Sequence, residues 1–376
     1  MMADVPNKGR LDKSLAEENN VKIHEFVVDE YSNKPLYLME VNAIADGMEM
    51  ATGSGYGKVI LFGEHFVVYG LPAIASAIAD RTVAEARPAP LREPANGDIA
   101  PGTFVLRGEG WTLYDGRPET PGYKTEKAIE QKKSIELMLA ALGIDTKEKP
   151  LSMTLGGELR AASGVGASAA SCAAIARALS GLFELKLTDE RINEVAHEGE
   201  KGYHGTPSGI DDTAATYGGL FMFRKAEPKN VVELLKTKRP IEIVMGNTGI
   251  TASTKDVVGG VKERMAREPE KYQRIFKEAE EVASESRKAL LAFDLKRVGG
   301  LMDRNHELLR QIGVSGEKLE ALVEMARARG ALGAKLTGTG VGGYMVALTP
   351  GKKLQERVAK AMEKAGFSVL RTSIGG

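Results

Sequence analysis

The sequence predicts an α+β fold, and three features of the chain support this prediction. Short apolar runs typical of strands and longer stretches with helical spacing follow one another along the chain. They interleave without a long repeat of parallel βαβ units. Three glycine-rich segments interrupt them next to apolar runs, where glycine permits tight turns and close approach of a ligand.

The first half of the chain carries most of the predicted strands. Strand patterns occupy residues 55–62, 73–78, 81–86, 103–107, 151–155 and 218–223. Helical patterns lie over 123–142 and 168–183. A third helix is expected after Thr188, a typical N-cap residue, and carries Glu200 near its end.

The second half is more helical. Helices are predicted over 254–267, 270–292, 294–312 and 316–329, and strands over 334–337, 344–348 and 367–371. In the last of these helices, Leu319, Leu322, Val323 and Ala326 recur at helical spacing, which indicates one buried face. The composition turns polar around 225–240, so we expect a domain boundary there.

Bulk composition excludes several classes of protein. The 51 basic and 51 acidic side chains cancel, which argues against a surface built for nucleic acid. The only cysteine, Cys172, cannot form an internal disulfide, and we expect a cytoplasmic protein. No segment approaches the roughly 18 consecutive apolar residues of a membrane span. The first residues lack the basic start and apolar run of a signal peptide, so no membrane contact is predicted.

The segment 162–170 is the strongest functional signal. Its sequence, Ala-Ser-Gly-Val-Gly-Ala-Ser-Ala-Ala, is a glycine-rich loop that runs into an alanine-rich helix. A helix start offers unpaired N–H groups and the positive end of the helix dipole, both of which favour a phosphate. The segment lacks the P-loop pattern. Taken alone, it fits a phosphate site and an ordinary capped helix equally well.

Two further segments carry candidate site residues. Lys58 begins an apolar strand pattern in Gly57–Gly70, and Glu64 and His65 follow its end. The segment Lys335–Gly343 places four glycines in six residues between two strand patterns, which suggests backbone packed against a ligand or another backbone. A surface lysine and a flexible hairpin are the alternatives for the two segments.

Taken in their order along the chain, the segments 57–70, 162–170 and 335–343 resemble the first, second and third motifs of the GHMP kinases. Lys58–Gly70 and the acidic segment Gly199–Asp211 are most similar to those of the mevalonate kinases. The resemblance runs from about Gly55 to near the C-terminus. It implies a two-domain α+β kinase with its active site in the cleft between the domains.

The resemblance also suggests the domain limits. We expect an ATP-binding domain over 54–228 and a C-terminal domain over 229–376. Residues 1–53 lie outside it as an extension of unknown role. Met48 and Met50 leave open whether the natural start lies there or the extension is real.

The family pattern assigns ATP and Mg²⁺ to the second and third motifs. The residues expected to hold ATP are Ser163, Gly164, Val165, Gly166, Ala167, Ser168, Gly338 and Gly340. Ser168 and Glu200 would bind Mg²⁺, which prefers hard oxygen ligands. Many relatives have a second serine at the position of Ala167, so one hydroxyl contact is absent here.

By the same resemblance, Asp211 and Lys58 are the catalytic pair. Asp211 would remove or orient the proton of the attacking hydroxyl, and a nearby ammonium would keep it ionised. Asp212 departs from the family, which usually has asparagine there. Two hypotheses remain for it: repulsion between adjacent carboxylates, or a carboxylate that faces away and caps the helix.

The substrate-side residues implied by the resemblance are Glu64, His65, Thr254 and Thr339. His65 could donate to a hydroxyl or a carboxylate. His204 is an alternative that could instead support Glu200 or Asp211. A plain helix cap is the other reading of Thr254.

These observations predict an ATP- and Mg²⁺-dependent kinase that phosphorylates the primary hydroxyl of mevalonate. By family resemblance, the partners are mevalonate, ATP and possible second copies of the chain in a homodimer. Two alternatives stay open. One is another GHMP kinase acting on phosphomevalonate or a sugar, and the other is a catalytically silent ATP-binding regulatory protein on the same fold.

Overall fold

The N-terminal half of the described chain contains a sheet of seven strands. The computed structural model describes residues 50–89, 99–119, 121–161, 164–226, 230–250 and 252–375. The strands are β1 Ala51–Phe62, β2 Ala73–Pro88, β3 Phe104–Arg107, β4 Trp111–Asp115, β5 Leu151–Gly156, β6 Leu220–Arg224 and β7 Val231–Leu235. Their order is β3-β4-β5-β2-β6-β7, with β1 paired to β2. The β4–β5 pair is parallel and the other pairs are antiparallel.

The described part of this half has five α-helices and a 3₁₀ helix at Phe66–Tyr69. The α-helices are α1 Tyr123–Glu126, α2 Ala128–Leu142, α3 Ala167–Leu182, α4 Asp189–His204 and α5 Ile210–Tyr217. The single helix predicted over 123–142 is therefore two, which Lys127 separates. Thr188 caps α4 as predicted, because its side chain accepts a hydrogen bond from Arg191 N.

The alanine-rich sequence of α3 has a packing reason. A Cβ on Gly53 would lie 2.3 Å from Ala174 O, and one on Gly55 would lie 2.2 Å from Ala170 O. Bare glycines on β1 and alanines on α3 thus let the helix lie directly against the strand. This contact fixes the axis of the helix that follows the second glycine-rich loop.

The C-terminal half has a second, fully antiparallel sheet. Its strands are β8 Ile241–Asn247, β9 Gly333–Leu336, β10 Tyr344–Leu348 and β11 Ser368–Ile374, in the order β11-β8-β10-β9. Its helices are α6 Thr254–Arg267, α7 Pro269–Ala292, α8 Leu295–Gln311, α9 Glu317–Ala328 and α10 Lys352–Lys364. The α+β prediction is confirmed, whereas β4, β7, β8 and α10 were not predicted.

The two halves meet along one hydrophobic core. This core joins residues of β1, such as Val59 and Leu61, to residues of β8 and β10, such as Ile243 and Val346. At its edge, Thr337 Oγ1 donates to Ile60 O at 2.9 Å and accepts from Ile60 N at 3.2 Å. The first parts of the segments Gly57–Gly70 and Lys335–Gly343 are therefore neighbours. In the described ranges, no helix combines the length and the apolar character that a membrane span requires.

Candidate active site

Lys58 and Asp211 form an ion pair between β1 and the start of α5. Lys58 Nζ lies 3.0 Å from Asp211 Oδ1. The lysine side chain is 7% exposed and that of Asp211 is 29% exposed. Asp211 is the second residue of α5, where the helix dipole favours a carboxylate. The structure thus brings together the two residues predicted to be catalytic, with the carboxylate open to solvent.

The second glycine-rich loop lies directly over Lys58. Lys58 N donates to Val165 O at 2.8 Å. Gly164 and Gly166 have φ angles of 103° and 69°, which lie in the left-handed region that favours glycine. A Cβ on Gly166 would lie 2.7 Å from Lys58 Cγ. Ala167 begins α3 and Ser168 follows in its first turn, as predicted, while Ser163 lies outside the described residues.

Glu200 lies beside Ser168 near the end of α4 and is 1% exposed. Its pKa is raised to about 8, first by burial and then by the neighbouring charge of Asp211, while a hydrogen bond with Ser168 opposes the shift. Its Oε1 has no hydrogen-bond partner in the described part of the chain, and Oε2 lies 3.7 Å from Nε2 of His204. A buried carboxylate oxygen that lacks a partner and lies next to a hydroxyl suits a divalent cation.

The protein supplies only part of such a metal shell. Within the ranges the structure covers, no three His, Cys, Asp or Glu side chains are grouped closely enough to hold a metal by themselves. Mg²⁺ usually keeps several waters and binds through one or two carboxylates together with substrate phosphates. Ser168 and Glu200 fit that mode of binding.

Asp212 contacts a histidine that the sequence analysis did not identify. Its Oδ2 lies 3.2 Å from His197 Nδ1 of α4, and its side chain is 4% exposed. The contact with Asp212 raises the pKa of His197. The hypothesis that Asp212 caps its own helix was wrong. In the described structure no side chain caps α5, and Asp212 contacts His197 of α4 instead.

Glu64 is completely buried and forms an ion pair with Lys335 of β9. Asn305 Nδ2 of α8 donates to its second oxygen at 3.4 Å. Burial raises the pKa of Glu64 and lowers that of Lys335, and their mutual contact opposes both shifts. Lys335 and Asn305 were missed as site residues. The signal for Lys335 was its charge between apolar neighbours in a strand.

His65 joins the first motif to the third. Its Nε2 lies 2.7 Å from Thr339 O, and its φ of 62° is unusual for a residue with a side chain. A carbonyl oxygen only accepts, so Nε2 carries the hydrogen in this contact. Burial lowers the His65 pKa, so the ring is neutral near pH 7 and its Nδ1 is an acceptor. The geometry therefore favours acceptance from a hydroxyl over donation to a carboxylate.

The third motif lies beside the second. Gly338 and Gly340 both have φ of 80°, and a Cβ on Gly338 would lie 4.0 Å from Gly164 O. A Cβ on Gly340 would lie 2.1 Å from Val314 O, so only glycine fits there. At the start of α6, Ser253 rather than Thr254 is the helix cap, because its Oγ accepts from Asp256 N at 3.4 Å. The side chain of Thr254 lies outside the described atoms.

Two family models match the chain. Residues 130–219 match the GHMP kinases N terminal domain and residues 286–368 match the GHMP kinases C terminal domain. These ranges fall in the two halves that the sheets define, in agreement with a two-domain fold. The match supports the fold and the class of enzyme together.

Individual relatives of known name identify the subfamily within the GHMP kinases. The mevalonate kinase of Pyrococcus abyssi is 35% identical over 336 residues, which cover 86% of this chain and 96% of that protein. The mevalonate kinase of Arabidopsis thaliana is 30% identical and covers 85% and 96% of the two chains. The crystal structure of L. major mevalonate kinase in complex with R-mevalonate is 40% identical. It covers 87% of this chain and 97% of that chain, with a TM-score of 0.79. With these identities over nearly the full length of its relatives, the chain belongs to the mevalonate kinase family of the GHMP kinases.

Proposed function

We propose that this protein transfers the γ-phosphoryl group of ATP to the primary hydroxyl of mevalonate, giving 5-phosphomevalonate and ADP. The observation that carries the proposal is the Lys58–Asp211 ion pair under a glycine-rich helix start. Phosphoryl transfer depends mainly on positioning and charge stabilisation, and these groups supply both. The membership of the chain in the mevalonate kinase family supports the choice of acceptor.

Asp211 is the group that orients the acceptor hydroxyl or takes its proton. It is the exposed member of the pair, so an acceptor can reach its second oxygen. Lys58 is nearly buried, and its ammonium holds the Asp211 carboxylate in place through the 3.0 Å ion pair. Its ammonium also stabilises negative charge on the transferring group.

The nucleotide phosphates bind the loop before α3. Gly164, Val165, Gly166, Ala167 and Ser168 present backbone at the helix start, and Gly338 and Gly340 border it from the third motif. Ser168 and Glu200 would hold Mg²⁺, which would supply positive charge next to the phosphates. The raised pKa of Glu200, about 8, favours its protonated form, so binding of a cation there would be coupled to loss of that proton.

The acceptor binds on the side of His65 and Thr339, with Thr254 as a further contact. His65 Nδ1 accepts from a substrate hydroxyl, because Nε2 is occupied by Thr339 O. The resemblance places Glu64 on the substrate side, but its side chain has no surface open to an acceptor. It is fully buried and positions His65, its neighbour in the chain, through the ion pair with Lys335.

A coupled ADP-release assay tests the proposal. Mg-ATP is supplied with mevalonate, phosphomevalonate, galactose or homoserine, and Asp211→Asn is measured in parallel. Turnover with mevalonate that the variant loses supports both the substrate and the central residue. Activity on another acceptor would keep the phosphate site and overturn the acceptor assignment. Nucleotide binding without turnover on any acceptor would point to a regulatory protein.

A homodimer and a cytoplasmic location remain predictions. Light scattering of the purified protein measures the first, and fractionation of the source cells measures the second.

A further inference from the structure

A second buried charged cluster lies outside the site described above. Its members are Asp115, Arg117, Lys124 and Gln131, each at most 6% exposed. The Arg117 guanidinium makes two bonds to Asp115, from Nη2 to Oδ2 at 2.6 Å and from Nε to Oδ1 at 3.0 Å. Lys124 Nζ donates to the main-chain oxygens of Asp115 and Arg117 at 2.8 and 2.6 Å. The segment is thus held rigidly from within.

The remaining nitrogen of Arg117, Nη1, reaches the start of α3. It donates to Ser171 Oγ and lies 3.4 Å from Ala167 O. Ser171 Oγ donates in turn to Ala167 O at 2.8 Å. Ala167 is the first residue of α3 and Ser168 is the second. Arg117 is therefore attached to the turn that carries the proposed phosphate and metal ligands.

The chain beyond Arg117 contacts the other side of the glycine-rich loop. Pro118 O accepts from Ala161 N at 2.7 Å, and Glu119 forms an isolated parallel bridge with Ala161. Arg160 Nη1 donates to Glu119 O at 3.1 Å. Residues 115–119, which we call the brace, thus bind the chain shortly before and directly after the loop.

Stability alone does not explain this buried pair. Replacement of a buried ion pair by apolar side chains of similar volume is often neutral or stabilising. What the guanidinium adds is geometry, because its planar fork of donors holds several acceptors at fixed angles, which a lysine cannot do. In the brace, two nitrogens of the fork are fixed on Asp115, and the third is fixed on α3.

We propose that Arg117 is a positioning residue for the nucleotide phosphates. Through Ser171 and Ala167 O it sets where Ser168 and the amides of the loop lie relative to Glu200. Arg117 itself touches neither the nucleotide nor the acceptor. The inference rests on the proposed function of the loop as the phosphate site, and it adds a determinant that lies in neither glycine-rich motif.

The test compares Arg117→Lys and Ser171→Ala with the matched control Arg177→Lys. Arg177 lies on the same helix and donates to the main-chain oxygens of Ser54 and Thr216, away from the first turn. Ser171→Ala removes only the hydroxyl between Arg117 and Ala167, so it tests the link even if Arg117→Lys folds poorly. A shift of the loop by a fraction of an ångström is expected to raise the KM for Mg-ATP by about tenfold in both variants.

The expected pattern is specific for the nucleotide. In Arg117→Lys and Ser171→Ala, the KM for Mg-ATP and the Kd for Mg-ADP rise while the KM for mevalonate stays unchanged. Arg177→Lys lowers Tm and leaves all three constants unchanged. Unchanged nucleotide constants in both test variants would overturn the proposal and leave the brace a purely structural element.

Nucleotide binding separates this inference from the proposed function. If the wild-type protein does not act on mevalonate but binds Mg-ADP, and the two test variants bind it more weakly, the inference stands and the acceptor assignment fails. If the wild-type protein binds no nucleotide, both fail.

Discussion

The backbone of Gly166 passes so close to Lys58 that no side chain fits between them. A Cβ on Gly166 would lie 2.7 Å from Lys58 Cγ, and Val165 O already accepts the backbone N–H of the same lysine. The loop proposed to hold the phosphates and the cation proposed to stabilise their transfer thus share one contact surface. A change in either one moves the other.

Gly166→Ala tests this contact. The variant adds strain of about 1 to 2 kcal/mol at a left-handed position, and it also pushes Lys58 away from Asp211. Gly143→Ala is the matched control, because Gly143 has a similar φ of 65° and a Cβ there meets nothing within 4 Å. We expect Tm to fall in both variants and to fall further in Gly166→Ala, with kcat reduced at least about tenfold only in Gly166→Ala. Equal kcat values in the two variants would contradict the contact.

Asp211→Asn and Asp212→Asn are expected to differ strongly. Removal of a group that handles a proton lowers kcat by about 10² to 10⁴, and Asp211 is the carboxylate that faces Lys58. Asp212 lies against His197, so its amide variant should keep most of the activity and lose some stability. Steady-state kinetics with Mg-ATP and mevalonate measures both. Comparable kcat losses would contradict the assignment of Asp211.

Glu200 makes the stability of the metal-free protein depend on pH. The carboxyl has an ordinary pKa of 4.5 and a folded pKa of about 8. A raised acid pKa means that the fold favours the protonated form, so stability falls as pH rises from 4.5 to 8. The loss at high pH is roughly 2 to 5 kcal/mol.

Thermal melts of the wild type and Glu200→Gln without metal measure this effect. We expect the wild type to lose Tm relative to Glu200→Gln between pH 5 and pH 8.5, with Mg-ADP restoring it only in the wild type. Parallel curves for the two proteins would show that Glu200 keeps its ordinary pKa.

The Glu64–Lys335 pair is expected to show strong coupling. Removal of one partner of a buried ion pair leaves an unpaired charge and destabilises by about 3 to 5 kcal/mol. We therefore expect large losses for Glu64→Gln and Lys335→Met alone, and recovery of most of the stability in the double variant. Denaturant melts of the four proteins give the coupling free energy.

Kinetics of the same double variant tests the positioning role of Glu64. Because His65 follows Glu64 directly, the KM for mevalonate should stay raised even where stability recovers. If the double variant has the wild-type KM for mevalonate, the Glu64–Lys335 pair has only a structural role.

Much of the fold follows from local patterns, and the errors have physical causes. The apolar stripe of α9 predicted that helix correctly. The break placed between 78 and 81 was wrong, because β2 runs without interruption over Ala73–Pro88, and only its register with β1 shifts at that point. Helix α10 was missed although Val358, Ala359 and Met362 form a helical stripe, so the signal was present. Strand β8 was missed because it follows the polar stretch at 225–240 directly.

The candidate site divides in the same way. Residues within glycine-rich motifs could be predicted, since a helix start and tight turns leave a local signature. Asn305, His197 and Arg117 could not, because each acts through a contact with a distant part of the chain. A single sequence shows how far apart residues lie along the chain, but not which distant residues come into contact in the fold.

The close packing of β1 against α3, in which strand glycines face the helix backbone, limits the substitutions that this enzyme can tolerate. Gly53 lies in strand β1 and contacts α3 at Ala174, about two turns beyond Ala167, the first residue of the helix. Because a helix shifts as a stiff rod, one methyl group at Gly53 would displace its first turn, which is the proposed phosphate site. A substitution at Gly53 should therefore weaken nucleotide affinity. The cause would not be apparent from the active-site residues, because Gly53 is not one of them.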